Sequence, residues 1–84
     1  MKFDYTVKDS LGIHARPAGL LVAEAKKHQS SVSIEAKGKT ADAKKIFAVM
    51  ALGVKCGDTI SVTVSGADEE AAFNGIKSVI ESNL

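Results

Sequence analysis

Tryptophan is absent, cysteine and proline occur once each, and neither sign of charge dominates this 84-residue chain. Each scarcity excludes something. The lone Cys56 can form no disulfide framework and no cysteine-based metal cluster. A net charge of +1 lacks the basic excess of a nucleic-acid binder. Three phenylalanines and one tyrosine leave little for stacking RNA bases, and Phe3, Tyr5 and Phe73 fall on expected core faces. No apolar run approaches the roughly 20 residues of a membrane span. The start, MKFDYTVKD, alternates instead of forming the apolar block of a signal peptide. These absences predict a soluble, cytoplasmic protein; the length fits one domain over residues 1–84, and a monomer is expected. They predict no cofactor, no metal, no nucleic acid and no membrane insertion.

What is present is regular patterning. Residues 2–8 alternate, with Phe3, Tyr5 and Val7 on one side and Lys2, Asp4, Thr6 and Lys8 on the other, as in a half-buried strand. Ala18, Leu21, Val22 and Ala25 then recur at helical spacing, which predicts a helix from about Arg16 to about Lys27. Lys26, Lys27 and His28 suit its negative dipole end. Residues 31–37 alternate again, with Val32, Ile34 and Ala36 inward, and Lys37–Gly38 predicts a tight hairpin into a short polar edge strand. Residues 44–53 read as a short helix closed by Gly53, and 59–65 as the clearest strand. A last helix is expected after Asp68, which or a neighbour caps it, with Ala72, Phe73, Ile76, Val79 and Ile80 as its buried stripe. Gly75 there costs up to about 1 kcal/mol unless it allows close packing on the sheet. The order β-α-β-β-α-β-α, with one apolar face per strand, predicts an α+β fold: one sheet covered by helices on one side.

The segment LGIHARPAG, residues 11–19, concentrates chemistry. A neutral imidazole such as that of His14 can attack phosphorus and carry the group covalently. A phosphoryl dianion needs donors, and a helix N-terminus supplies free N–H groups and a positive dipole end. Ala15 and Arg16 are placed to present those amides. Arg16 adds a guanidinium fork, Gly12 lets the chain turn before the histidine, and Pro17 pre-sets the first helical turn. No paired carboxylate, metal-ligand spacing or nucleotide loop accompanies them. The chain therefore reads as an acceptor and donor of phosphate that works with other proteins, not as a stand-alone enzyme. His28 lies far along the helix and reads as a C-terminal helix cation. Leu20, Phe47 and Met50 fall off the buried stripes and suggest an apolar docking patch near His14, rimmed by Lys26, Lys44 and Lys45. An RNA- or metal-binding module is the reading from a different class, disfavoured by the scarce aromatics and the lone cysteine.

Three stretches, LGIHARPAG, KKIFAVMALGVKCGD and ISVTVSGADEEAAF, together resemble the HPr family. These are the histidine-containing phosphocarriers of the bacterial phosphoenolpyruvate-dependent sugar phosphotransferase system. The resemblance covers essentially the whole chain. It implies an open-faced β-sandwich with antiparallel strand order 1-4-2-3 under three helices. It implies that His14 accepts phosphate at Nδ1 from enzyme I and passes it to IIA components of sugar permeases. Arg16 would assist transfer, Pro17 would shape the helix start, and Leu20, Lys45, Phe47 and Met50 would lie on the docking face. A nitrogen-related branch of the same family is the alternative pathway. A purely regulatory relative would lack the histidine and keep a serine, the reverse of this chain. One position departs: Lys45 stands where the family carries a regulatory serine, so escape from seryl phosphorylation is expected.

Overall fold

The computed structural model describes residues 1–84. Four strands form one antiparallel sheet: β1 (Lys2–Thr6), β2 (Ser31–Ala36), β3 (Lys39–Asp42) and β4 (Thr59–Ser65), in the order β1-β4-β2-β3. Three helices, α1 (Ala15–Lys26), α2 (Ile46–Ala51) and α3 (Glu69–Asn83), complete the expected element order. In β4 the alternation places Ile60, Val62 and Val64 in the core, where none is exposed. Val62 lies between Phe3 of β1 and Ile34 of β2. Each such side chain contributes about 1.5–3 kcal/mol of hydrophobic stabilisation relative to exposure. The other face of the sheet is polar, with Ser61 donating to Asp4 at 2.7 Å and the Thr6 and Thr59 hydroxyls 3.0 Å apart.

Local sequence explains the turns. Lys37 and Gly38 both take positive φ, 54° and 76°, in a two-residue hairpin between paired Ala36 and Lys39. That is the primed turn geometry that matches strand twist. Gly53 takes φ 67° and ends the short second helix as expected. That helix is narrower than the 44–53 pattern suggests: Asp42 first turns the chain by accepting the Lys44 amide at 2.9 Å, and Lys45 becomes the N-cap. The first helix begins one residue earlier than expected, at Ala15, which places Pro17 third in its first turn, where no backbone donor is needed. Ala18, Leu21, Val22 and Ala25 are all buried. The edge position of β1 leaves Phe3 and Tyr5 half-buried, whereas Val7 is buried just beyond the strand.

Three expectations need correction. Asp68 sits at the N-cap of α3, but its carboxylate does not cap that helix. It accepts the backbone amides of Gln29 (3.1 Å) and Ser30 (2.8 Å) and the Ser30 hydroxyl, tying the end of α1 to the start of α3. Those bonds hold its carboxyl down at about 2, the Ser30 hydroxyl contributing most. Gly75 makes room for α1 and not for the sheet: a Cβ there would lie 2.4 Å from the Glu24 carboxylate. His28 lies just past the helix end and joins a cluster instead of acting only on the dipole. Its Nε2 is 2.8 Å from Glu24 and its Nδ1 is 3.5 Å from Asp68. The hydrogen bond from His28 is the main cause that lowers the Glu24 carboxyl below its ordinary value.

Candidate functional site

His14 is the N-cap of α1, with extended backbone (φ −106°, ψ −175°) and no side-chain cap bond. Its carbonyl accepts the Ala18 amide at 3.0 Å, the first bond of the helix. The amides of Ala15 and Arg16 donate to no protein group, and Pro17 has none to offer. The imidazole is 37% exposed and is therefore reachable from outside. It lines a polar depression of about 210 Å³ with Asp9, Arg16, Pro17, Ser82 and Asn83. Arg16 is exposed and takes part in no ion pair, so its guanidinium is available to an incoming anion.

The segment before His14 is held from several sides. Gly12 takes φ 68°, and a Cβ there would lie 2.2 Å from the Val54 carbonyl oxygen. No other residue fits that approach. Ile13 donates its amide to the same carbonyl at 3.1 Å. The loop carrying Val54 is itself braced. Asp58 accepts the Lys55 amide at 2.8 Å and meets the Lys37 ammonium at 3.2 Å, while Lys37 also donates to the Gly53 carbonyl at 2.9 Å. The Lys55 amide is the main cause that lowers the Asp58 carboxyl below its usual range. A change in this loop therefore reaches His14 through Gly12 and Ile13.

Sequence reasoning missed part of the depression. It found no paired carboxylate and assigned Asp9 no part in the site, yet Asp9 Oδ1 lies 3.9 Å from His14 Nε2. Asp9 is five residues upstream, visible in the sequence, but only the turn through Leu11 and Gly12 folds it back. Ser82 and Asn83 come from the far end of the chain, and no local signal announces them.

The apolar residues set aside from the core do face outward. Phe47 is 82% exposed, and Leu20 and Met50 are also exposed. Gly19 of α1 faces Ile46 of α2, and the exposed Leu20 and Phe47 follow those two residues in sequence. Leu11, at 71% exposure, is a further exposed apolar residue, two positions short of Ile13. Lys26 and Lys45 are exposed, but Lys44 does not stand free: its ammonium donates to the His28 carbonyl at 2.9 Å. No group of side chains is arranged to hold a metal ion. No helix is long and apolar enough to cross a membrane.

Known proteins resemble this arrangement closely. The chain matches the family described as PTS HPr component phosphorylation site over residues 1–82. The phosphocarrier protein HPr of Mycoplasma genitalium is 42% identical over 83 residues, covering 98% of this chain and 94% of that protein. A solved histidine-containing phosphocarrier protein of Mycoplasma superposes with a TM-score of 0.95 at 36% identity, covering 98% of this chain and 93% of that one. An HPr dimer from Thermoanaerobacter tengcongensis superposes with a TM-score of 0.78 at 38% identity, covering 93% and 90%. The strand order and the single helical layer thus define an open-faced α+β domain of the phosphocarrier class. The chain belongs to the HPr family of phosphocarriers of the phosphotransferase system.

Proposed function

We propose that this protein carries a phosphoryl group on His14, accepting it from enzyme I and passing it to IIA components of sugar permeases in the cytoplasm. The single observation that carries the assignment is the exposed imidazole at an uncapped helix N-terminus. Two unused amides and a free guanidinium lie within two residues of it. Phosphate on the ring brings negative charge to the site. The Ala15 and Arg16 amides, the helix dipole and Arg16 offset that charge without any counter-ion having to be recruited. Because the group lies at the surface, the donor's and acceptor's own catalytic groups can reach it in turn. Leu20, Phe47 and Met50 offer both partners the same apolar contact, and methionine adapts to differing shapes. Lys26 and Lys45 favour acidic partner surfaces.

The 84 residues act in this reading as one monomeric domain. Lys45 gives it one distinctive property. No hydroxyl is available at that position, so a kinase specific for the family's serine finds no acceptor. Lysine also keeps positive charge where phosphoserine would place about −1.5 to −2. Incubation with such a kinase and ATP should leave no acid-stable phosphate; stoichiometric acid-stable incorporation contradicts the escape. For the carrier itself, enzyme I and phosphoenolpyruvate should place one acid-labile, base-stable phosphate on the protein. His14→Ala should take none while keeping its fold.

A further inference from the structure

We propose that Asp9 is a positioning residue for His14, holding the ring proton on Nε2 so that Nδ1 keeps the lone pair that takes the phosphoryl group. This rests on the phosphocarrier reading above. The two nitrogens of a neutral imidazole differ only by what surrounds them, and the partner of one decides the state of the other. Here Asp9 Oδ1 lies 3.9 Å from Nε2. That is too long for a direct hydrogen bond but close enough for the carboxylate field to favour a proton on the facing nitrogen. Contacts of this kind commonly tighten when a partner closes over the site.

The carboxylate is fixed where it can act. The amides of Lys8 and Asp9 both donate to the Leu84 main-chain oxygen at the end of α3. The Asp9 carbonyl accepts the Gly12 amide at 3.0 Å, and Oδ1 accepts the Leu11 amide at 2.8 Å. Asp9 therefore stands on a turn closed at both ends, with its side chain two-thirds covered. The other side chains around the depression are Arg16 and Pro17 from α1 and Ser82 and Asn83 from α3, so Asp9 is the only anionic side chain there.

The same placement serves both halves of the transfer. On acceptance, the Nδ1 lone pair forms the bond to phosphorus. The bond from phosphorus to the phosphorylated donor breaks, and its electron pair stays with the donor. The ring keeps its Nε2 proton and becomes cationic, which the Asp9 carboxylate stabilises. On donation, the acceptor's nucleophile attacks phosphorus and the Nδ1–phosphorus pair returns to the ring. The leaving group is then a neutral imidazole with its proton still on Nε2. A carboxylate at Nε2 also stands at the nitrogen opposite the one that carries the dianion.

Long-range proton–nitrogen NMR of His14 reads the tautomer in the unphosphorylated protein, with no partner present, at a pH alkaline enough for the ring to be neutral. Asp9→Asn is the informative variant, because its carbonyl can still accept the Leu11 amide while the charge is gone. An unchanged amide spectrum away from the site verifies its fold. The parent should be mainly the Nε2–H form, and Asp9→Asn should lower the Nε2–H to Nδ1–H ratio by about 3-fold or more. Phosphotransfer from enzyme I to Asp9→Asn should slow several-fold, through the smaller Nε2–H population and the lost stabilisation of the ring cation, and Asp9→Glu should recover part of both losses. A ratio unchanged in Asp9→Asn overturns the proposal, as does a shifted ratio with an unchanged transfer rate. If the parent takes no phosphate at all, the carrier reading fails, and the tautomer ratio still decides what Asp9 does.

Discussion

At the scale of single residues, the site depends on one glycine as much as on the histidine. On the proposed carrier role His14 would supply the nucleophile, and Gly12 determines where it stands, because only a residue without a Cβ can lie against the Val54 carbonyl at positive φ. Gly12→Ala should therefore destabilise the fold by about 1–3 kcal/mol and also reduce transfer. Urea unfolding and a phosphotransfer assay on the same variant check the two effects together; full stability in the variant would remove Gly12 from this role. His14, Arg16 and Pro17 were legible as one group because they are chain neighbours, and the structure brings all three to one depression. Asp9 was not legible, since a carboxylate five residues away approaches or recedes according to the turn between. Leu20, Phe47 and Met50 were legible by elimination, being the apolar residues that fit no buried stripe.

At the scale of elements, periodicity predicted β1, β2, β4, α1 and α3, while the Lys37–Gly38 turn predicted β3 and the missing alternation with Gly53 predicted α2; the boundaries shifted by a residue or two where side chains competed for backbone groups. Asp68 shows why. A carboxylate before a helix is ordinarily a cap, but here Gln29 and Ser30 offer it better donors across the chain. That pairing depends on tertiary approach and leaves no local trace. It also makes a prediction about acid. Asp68 titrates at about 2 in the folded protein against an ordinary 3.8. Its contribution is therefore complete above about 4 and is lost as pH falls towards 2. Asp68→Asn should lose less stability than the parent between pH 5 and pH 2.5, measured by urea unfolding at each pH; parallel losses would show that the clamp adds nothing. Gly75 makes a second test. Alanine normally stabilises a helix interior by about 1 kcal/mol over glycine. Here Gly75→Ala should gain little, because the new Cβ displaces the Glu24 carboxylate from His28. Part of the gain should return in a Glu24→Ala background, where His28 Nε2 at 3.3 Å is the close neighbour that remains. Lys45 makes a third: it leaves α2 without a side-chain cap. Lys45→Ser should thus stabilise the protein by about 1 kcal/mol and restore a target for the serine kinase.

At the scale of the whole molecule, one four-stranded sheet carries all three helices, and the depression around His14 is lined from α1 and α3 and from the turn that holds Asp9. The strand order came from family resemblance; alternation alone sets faces, not neighbours. The core ties the helices to the sheet. Its 21 buried apolar residues draw on every strand but β1 and on all three helices, so α1 cannot tilt without disturbing the rest. The outer surface of α1 and α2 carries the exposed Leu20, Phe47 and Met50. If Lys26 and Lys45 attract acidic partners there, the bimolecular transfer rate should fall as ionic strength rises, since exposed charges are screened over about 8–10 Å at 0.1–0.15 M salt. A rate independent of salt would leave the apolar patch as the only attraction. The carrier role itself is tested most directly by mass spectrometry of the protein after brief incubation with enzyme I and phosphoenolpyruvate, mapped to the modified residue under alkaline conditions. The account predicts one phosphate, on His14, lost in acid and passed on when a IIA protein is added. A phosphate that survives in His14→Ala, or a parent protein that stays unmodified, would contradict it.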